Sequence, residues 1–385
     1  MKIVTWQYLL TDHQVHTWRE MQKRGHLVQF VLGRTQDENR TKQGWNESVL
    51  DSLTTIPLPA QGWWNIGKEI IQNNHNSVHV FCGFWADRRF FPLILYALGK
   101  GIKTFIMNES YAVTKTGYFK EESKIKTEIK VRLRPILYKT AISFCKWASS
   151  KNPLRVLAIS ELAEKQFFAA GVAKQDIFPW GYFVPQKDVT KQKPVSGRTQ
   201  RLIFIGNLQH RKGLDLAIKA VEAINNKSSY PAISLDIYGP GDPHQWIHSE
   251  ILGITYKGLI PFGHSQEVLV NYDYLILPSR FDGWGVVVNE ALLQGVPVIA
   301  SDRVGAKALF EKCEAGMIFR SENVDDLINL LLEMIQSPEK QKEYAKQAAL
   351  IAPKILPSEA AKYLEEILAC SLNEPAQCPI PNWER

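Results

Sequence analysis

The sequence contains one pattern twice: a short apolar run, a helical stretch and a second apolar run. The first copy occupies residues 2–32 and the second residues 201–238. Strand, helix, strand is the βαβ unit, in which the two strands run parallel and the helix covers one face of the sheet. A chain of 385 residues has room for about two domains. The sequence therefore predicts an α/β protein with two Rossmann-like domains in tandem.

The domain boundaries are predicted where this pattern stops and restarts. The first domain is expected over residues 1–185, a polar linker over 186–199 and the second domain over 200–355. A closing helix and an irregular tail are expected over 356–385, and the helix either stays with the second domain or returns to the first. Ligands of such sheets bind at the carboxyl ends of the strands. Two such edges are therefore expected to face a cleft between the domains.

The composition excludes several classes of protein. Apolar residues make up 45% and charged residues 22%, which excludes a fully disordered chain, a collagen and a coiled coil. No apolar run reaches the ~18 residues of a spanning helix, and the first eight residues do not form a secretory signal. The five cysteines are widely spaced without a CxxC pair, so we expect neither a disulfide framework nor a zinc site. A cytoplasmic location is expected.

Positive charge is concentrated in the first half of the chain. Residues 1–190 contain 26 Lys and Arg against 16 Asp and Glu, whereas the remainder contains 20 against 23. Residues 115–155 alone hold 11 basic and 3 acidic side chains. This placement predicts an anionic partner, such as nucleic acid, an anionic lipid surface or an acidic substrate. Because the chain has no nucleic-acid-binding motif, nucleic acid is not the expected partner.

Residues 279–291, Ser-Arg-Phe-Asp-Gly-Trp-Gly-Val-Val-Val-Asn-Glu-Ala, form the most informative segment. Two glycines expose the backbone before a predicted helix, and backbone amides at a helix N-terminus bind phosphate. Asp282 precedes this helix and Glu290 lies about one turn inside it. One carboxylate is placed for the sugar end of a ligand and the other for a ribose diol. The alternative is a Gly-rich turn with a surface Asp282 and a Glu290 favoured by the helix dipole.

Residues 282–300 resemble the E-x7-E region of glycosyltransferase family 4. The resemblance implies the GT-B fold and retaining transfer from a nucleotide-diphosphate sugar, a UDP- or GDP-sugar, to a saccharide or lipid-linked saccharide in bacterial-type glycan biosynthesis. The ribose-binding Glu of the family maps to Glu290. The position that contacts the donor sugar hydroxyls maps to Asp282, which is one methylene shorter than the family's Glu.

Residues 206–213, Gly-Asn-Leu-Gln-His-Arg-Lys-Gly, resemble the family's G-R-L-x-x-x-K-G loop, whose Arg and Lys clamp the donor pyrophosphate. Lys212 matches. Asn207 replaces the Arg, so Arg211 or His210 is expected to compensate; the alternative is an exposed basic loop. Residues 239–241 resemble a family turn whose glycines let the backbone approach the nucleotide. The nucleotide-binding residues implied by the resemblance are Gly206, Asn207, Arg211, Lys212, Gly239, Gly241, Gly283, Trp284, Gly285, Val286 and Glu290.

The first half resembles the family less closely. Residues 7–14 contain no glycine where family members often carry a Gly-rich loop, so His13 is a candidate to reach the cleft. Asn108 and Glu109 stand where the family often has a cleft histidine, which implies a contact with the sugar or acceptor. Aromatic residues at 81–85 offer either a surface for a sugar ring or core packing. The predicted catalytic set is Lys212, Asp282, Glu290, Asn108, Glu109 and His13.

Two further patterns in the sequence bear on metal binding and on membrane binding. The chain has no D-x-D pair at a strand end and no His/Cys cluster, so no tightly bound metal is expected. Family members that act on lipid-linked acceptors dock through a basic patch, which implies that residues 115–155 bring the protein to the inner face of the membrane. The alternative is a solvated basic helix.

The other functions that remain open are a GT-B sugar-nucleotide epimerase or hydrolase and a basic nucleic-acid-binding protein.

Overall fold

The computed structural model describes residues 1–34, 53–113, 124–190, 199–226, 233–247, 252–370 and 379–385. Parts of the predicted linker and of the basic segment, as well as Cys378, lie outside these residues. The chain forms two compact units. The first comprises Met1–Tyr111, Lys130–Val184 and Pro357–Arg385, and the second comprises Ala112–Ile129 and Pro185–Leu356.

The first unit is built on a sheet of seven parallel strands in the order β3-β2-β1-β4-β5-β6-β7. The strands are β1 (Lys2–Gln7), β2 (Leu27–Leu32), β3 (Thr55–Pro57), β4 (Val78–Cys82), β5 (Thr104–Glu109), β6 (Arg155–Ile159) and β7 (Ile177–Trp180). The α-helices are α1 (Asp12–Lys23), α2 (Trp63–Asn73), α3 (Phe90–Gly99), α4 (Lys124–Ala148), α5 (Glu161–Ala169) and α11 (Pro357–Ala369). The first turns of α4, up to Ile129, are grouped with the second unit.

The centre of this sheet is buried on both faces, as expected for a parallel sheet covered by helices. Every residue of β4 and β6 is buried. Trp6 of β1 stacks on Phe81 of β4, with ring centroids 4.9 Å apart. Phe90 of α3 packs edge-on against the same tryptophan at 6.4 Å. The uninterrupted apolar runs in the sequence therefore correspond to strands with no solvent-facing side.

The second unit is built on six parallel strands in the order β10-β9-β8-β11-β12-β13. The strands are β8 (Gln200–Ile205), β9 (Ile233–Tyr238), β10 (Ile254–Gly258), β11 (Tyr274–Leu277), β12 (Val298–Ser301) and β13 (Gly316–Phe319). The helices are α6 (Leu214–Asn225), α7 (Ser265–Leu269), α8 (Val286–Leu293), α9 (Val324–Gln336) and α10 (Pro338–Ile351).

Both sheets place their first strand in the interior, β1 beside β4 and β8 beside β11. The chain winds outward in one direction from that strand and later in the other. The loops that leave the two neighbouring strands therefore diverge and open a crevice at the carboxyl ends. This strand order fixes where a ligand site is expected in each unit.

The prediction of two parallel-sheet α/β domains is confirmed. Four elements were not predicted from the sequence: β3, β13, α2 and α7. The two strands have only three and four residues, and one contains proline and the other begins with glycine, which weakens any strand signal. Helix α2 begins with two tryptophans and contains Gly67, which lowers its helix propensity.

The predicted linker begins with residues that are fixed to the second unit. The Gln186 side-chain amide donates to the Leu293 carbonyl at 2.6 Å. The Lys187 backbone amide donates to the Gln266 side chain at 2.9 Å. The described start of this segment is therefore part of the second unit.

The C-terminal helix groups with the first unit, the second of the two alternatives left open by the sequence. Tyr363 of α11 stacks on Trp180 with ring centroids 6.0 Å apart. Trp383 of the tail packs against Phe183 at 5.3 Å. The four cysteines within the described residues are free thiols. No helix among the described residues is both long enough and apolar enough to cross a membrane.

Candidate active site

Two loops of the second unit touch at the carboxyl ends of β8 and β9. The Gly206 amide donates to the Tyr238 carbonyl at 3.0 Å. Gly239 has φ +144°, and a Cβ atom there would lie 1.9 Å from the Gly206 carbonyl oxygen. A Cβ at Gly241 would lie 2.6 Å from Leu208 Cβ. Glycine is thus required at 239 and 241 because the two loops approach each other closely.

Lys212 and Asp282 form an ion pair at the crevice of the second sheet. Lys212 follows β8 and Asp282 follows β11, and Nζ lies 2.6 Å from Oδ2. Their side chains are only 15% and 11% exposed, so the pair is largely screened from water. Arg211 Nη1 lies 3.9 Å from the other carboxylate oxygen and donates to the Phe281 carbonyl at 3.0 Å. Two cations therefore converge on one carboxylate.

Arg280 ties the Lys212 loop to the loop after β11. Its guanidinium donates to both carboxylate oxygens of Asp215, at 2.7 and 2.8 Å, and to Glu322 at 2.8 Å. It also donates to the His210 carbonyl at 2.8 Å. The side chain is 8% exposed. A planar, bidentate contact of this kind fixes both loops in one geometry.

The third part of this crevice is the start of α8. Gly285, with φ +94°, precedes the helix, and a Cβ there would lie 3.1 Å from Leu277 and 3.2 Å from Val304. Trp284 is 2% exposed and its indole donates to Asn289 at 2.8 Å. The Trp284 side chain therefore packs in the interior, and the predicted ligand contact of this residue stays a prediction.

The remaining predicted nucleotide-binding residues of this unit lie in these loops or in α8, which follows them. Gly283 is buried, and Val286 and Glu290 are half-buried. Glu290 lies four residues after Val286, so the two share a helix face. Asn207 is half-buried in the Lys212 loop.

In the first unit, a cavity of about 390 Å³ lies at the carboxyl ends of β1, β4, β5 and β6. Asn108 and Glu109 line it together with His13, which is far from them along the chain. Gln7 and Trp85 line it as well. Of the aromatic residues at 81–85, Phe81 and Phe84 belong to the core, whereas Trp85 is 46% exposed.

Glu109 is held by a buried tyrosine. The Tyr182 hydroxyl donates to Glu109 Oε1 at 2.7 Å. Burial and the adjacent carboxylate raise the pKa of Tyr182 well above its usual value, so this hydroxyl stays protonated and keeps donating. The His13 ring packs edge-on against Tyr182 at 4.5 Å, and its Nε2 lies 3.1 Å from the Thr11 hydroxyl. One wall of the pocket is thereby fixed.

Three contributors to these sites were not predicted from the sequence: Arg280, Gln7 and Tyr182. Arg280 lies inside the quoted 279–291 segment, and a basic residue there adjoins Asp282. Gln7 ends a central strand, and a polar residue at the end of an apolar run is the signal that would have singled it out. Nothing near Tyr182 in the sequence points to Glu109, 73 residues away.

Within the described residues, no three or more His, Cys, Asp and Glu side chains form a group that could hold a metal ion.

The two sheets and their strand orders define the GT-B fold of glycosyltransferases. The solved structure of HepE from Anabaena in complex with UDP matches 96% of this chain and 100% of its own, with a TM-score of 0.68 and 16% identity.

Sequence comparison finds similarity to glycosyltransferases over the second half of the chain. Residues 186–351 match the family model of glycosyl transferases group 1. Glycogen synthase of Mycobacterium tuberculosis is 22% identical over 189 residues, 48% of this chain. D-inositol 3-phosphate glycosyltransferase of Rhodococcus erythropolis is 26% identical over 186 residues, 43% of this chain. The matched regions span less than half of these relatives, 45% and 42% of their lengths.

Proposed function

We propose that this protein is a retaining glycosyltransferase that moves a sugar from a UDP- or GDP-sugar to a saccharide or lipid-linked saccharide in bacterial-type glycan biosynthesis. The observation that carries the proposal is the Lys212–Asp282 pair at the crevice of the second sheet. The family match over this half and the UDP bound by the similar HepE support it.

The donor is proposed to bind in the second unit. Lys212, with Arg211 beside it, faces the diphosphate and stabilises the negative charge that develops on the leaving group. Asp282 orients the sugar hydroxyls and Glu290 accepts from the ribose diol. Since Lys212 already contacts Asp282, the diphosphate and the carboxylate share this cation in the bound state.

The acceptor is proposed to bind in the pocket of the first unit, where Asn108, Glu109 and His13 contact its hydroxyls. The bond between the sugar C1 and the phosphate oxygen breaks, and a bond from the acceptor oxygen to C1 forms on the same face. The acceptor proton passes to the departing phosphate oxygen. This route retains the configuration at C1 and uses no nucleophilic side chain.

A thermal-shift series over UDP-, GDP-, ADP- and TDP-sugars tests the proposal. A ligand that binds only the native state stabilises it by about 2.7 kcal/mol at roughly 100 times its Kd. We expect one nucleotide series to raise the melting temperature by several degrees, with release of nucleoside diphosphate once acceptor is added. No response to any nucleotide would contradict the proposal, and free sugar without an acceptor would indicate the hydrolase alternative.

We also propose that α4 rests on an anionic membrane surface, which supports a lipid-linked acceptor. Its core face is formed by Tyr138, Ala141, Ile142 and Cys145, all buried. The opposite side carries an apolar stripe, each member of which is 49–83% exposed: Leu133, Ile136, Leu137, Phe144 and Trp147. Residues three, seven and eleven positions apart share one side of a helix.

Positive charge flanks this stripe. Lys139 and Lys146 are exposed and seven residues apart, so they lie along the same edge of the helix. An apolar stripe bordered by basic residues is typical of helices that lie in the membrane interface. Each Lys near an anionic surface contributes about 1 kcal/mol.

Vesicle co-sedimentation measures this contact. We expect the protein to bind vesicles that contain phosphatidylglycerol and to dissociate as salt rises. The double variant Lys139→Gln/Lys146→Gln should bind more than tenfold more weakly, since it loses about 2 kcal/mol of attraction. Trp147→Ala should also weaken binding. Phe168→Ala, which removes a 62% exposed aromatic side chain on α5, is the matched control and should bind normally. Wild-type protein that ignores anionic vesicles at low salt would disprove the membrane contact.

A further inference from the structure

The Asp282 carboxylate lies where a phosphate group of the proposed donor would be bound. Its Oδ2 accepts a hydrogen bond from Lys212 Nζ at 2.6 Å, and its Oδ1 lies 3.9 Å from Arg211 Nη1. The same Oδ2 lies 3.6 Å from the position that a Cβ atom at Gly285 would take, immediately before α8. Anions are favoured beside a helix N-terminus, whether carboxylate or phosphate. Asp282 therefore makes contacts that a bound diphosphate would compete for.

The main chain on both sides of this ion pair is fixed. The Asp282 amide donates to the Arg303 carbonyl at 3.1 Å, and the Asp282 carbonyl accepts from the Gly305 amide at 3.1 Å. On the lysine side, a Cβ atom at Gly213 would lie 1.9 Å from the Pro278 carbonyl oxygen, so this loop packs directly against the end of β11. Because neither backbone can withdraw without loss of these contacts, a change of partner falls to the side chains.

A diphosphate that reaches Lys212 meets the Asp282 carboxylate at the same cation. The lysine and aspartate side chains are both largely buried, so water screens the repulsion between the two anions only weakly. A buried carboxylate that gives up its lysine needs another hydrogen-bond donor. The hydroxyl groups of a sugar attached to the diphosphate supply such donors, whereas the terminal phosphate of a free nucleoside diphosphate adds negative charge instead.

We propose that Asp282 is an internal counter-ion that competes with the diphosphate for Lys212 and so favours the nucleotide sugar over the free nucleoside diphosphate. When the donor binds, the diphosphate takes Lys212 and the sugar hydroxyls donate to Asp282. Once the sugar has been transferred, Asp282 loses those donors and regains Lys212 as the diphosphate departs. The inference rests on the proposed function, because it gives a second role to a residue of the proposed donor site.

Isothermal titration calorimetry of the full chain with UDP, GDP and inorganic pyrophosphate tests it. Asp282→Asn keeps the size of the side chain and an acceptor for Lys212 but removes the charge. We expect this variant to bind the preferred nucleoside diphosphate at least about tenfold more tightly than wild type, since a like charge has gone. Asp282→Glu retains the charge and should show no such gain.

Asp273→Asn is the matched control. Asp273 directly precedes β11, whereas Asp282 follows it, and its Oδ1 pairs with Arg201 Nη2 at 3.1 Å. The control therefore removes the same charge and also breaks an ion pair, but at the amino end of the strand. Its affinity for the nucleoside diphosphate should equal that of wild type. Circular dichroism and melting temperature show whether each variant is folded.

The wild-type chain provides a second measurement that needs no variant. Because Asp282 already occupies Lys212, the second phosphate should add less than about tenfold to the affinity of UMP or GMP, or about 1.4 kcal/mol. A larger gain from the second phosphate would overturn the inference, and this ratio decides if Asp282→Asn does not fold.

The outcomes separate this inference from the proposed function. A folded Asp282→Asn variant that gains less than about tenfold in affinity would overturn the counter-ion role, while nucleotide binding by wild type would leave the transferase in place. Pyrophosphate that binds more tightly to Asp282→Asn, in a chain that no nucleotide binds, would support the counter-ion role and contradict the transferase. An absence of binding by every probe to both proteins would contradict both.

Discussion

Replacement of Lys212 by alanine is expected to lower turnover at least about 100-fold, the effect of removing one preorganised group that stabilises charge in a transition state. Lys212 is the cation 2.6 Å from Asp282 in the crevice of the second sheet. Its loss removes positive charge from the proposed diphosphate site. It also leaves Asp282, 11% exposed, with Arg211 at 3.9 Å as its remaining neighbouring cation, so some folding stability should be lost as well.

Two measurements separate these effects. Nucleotide-dependent stabilisation in a thermal-shift assay should disappear in Lys212→Ala, while Lys212→Arg should retain part of it because the charge remains. Lys219→Ala removes an exposed lysine from α6, close along the chain, and should behave as wild type. Full activity of Lys212→Ala under saturating donor would refute the assignment of this residue.

Gly239→Ala is expected to destabilise the second unit by more than about 3 kcal/mol, in the range caused by strain and overpacking. The new Cβ would lie 1.9 Å from the Gly206 carbonyl oxygen, which is backbone and cannot swing aside. The two loops would have to separate. Nucleotide binding should then be lost together with stability, because the Lys212 loop starts at Gly206.

Urea denaturation monitored by tryptophan fluorescence measures this change. Gly263→Ala is the matched control, since Gly263 also has a positive φ, +79°, but nothing lies within 4 Å of its Cβ position. It should lose only the about 1–2 kcal/mol of a left-handed backbone. Equal stabilities for the two variants would show that the close approach of the loops is not required.

Much of the fold follows from local sequence. The apolar runs and intervening helical stretches predicted two parallel sheets, because a strand buried on both faces consists mostly of apolar residues. Elements with a weak sequence signal were not predicted, such as β3, which has three residues and includes a proline. The predicted nucleotide-binding glycines lie in loops that the strand order brings together, although their ligand contacts stay predictions.

Side-chain partners could not be predicted because they depend on strand order. Lys212 and Asp282 are 70 residues apart, and they meet because β8 and β11 are neighbours in the sheet. Tyr182 lies just after β7, and β7 is two strands away from β5, which ends at Glu109. The strand order therefore brings the two residues within hydrogen-bonding distance. Neither pairing has a signature in the spacing of the residues.

Sequence alone determined the two α/β units, the strand ends that would carry ligand loops and the residues able to supply charge there. Only the tertiary structure decided which of those residues share a site, which face of α4 is exposed and that Gln7 is buried with an unpaired oxygen. The physical reason is that the periodicity of apolar residues depends only on neighbours along the chain. Burial and pairing arise between segments far apart in sequence, once the strands have taken their order.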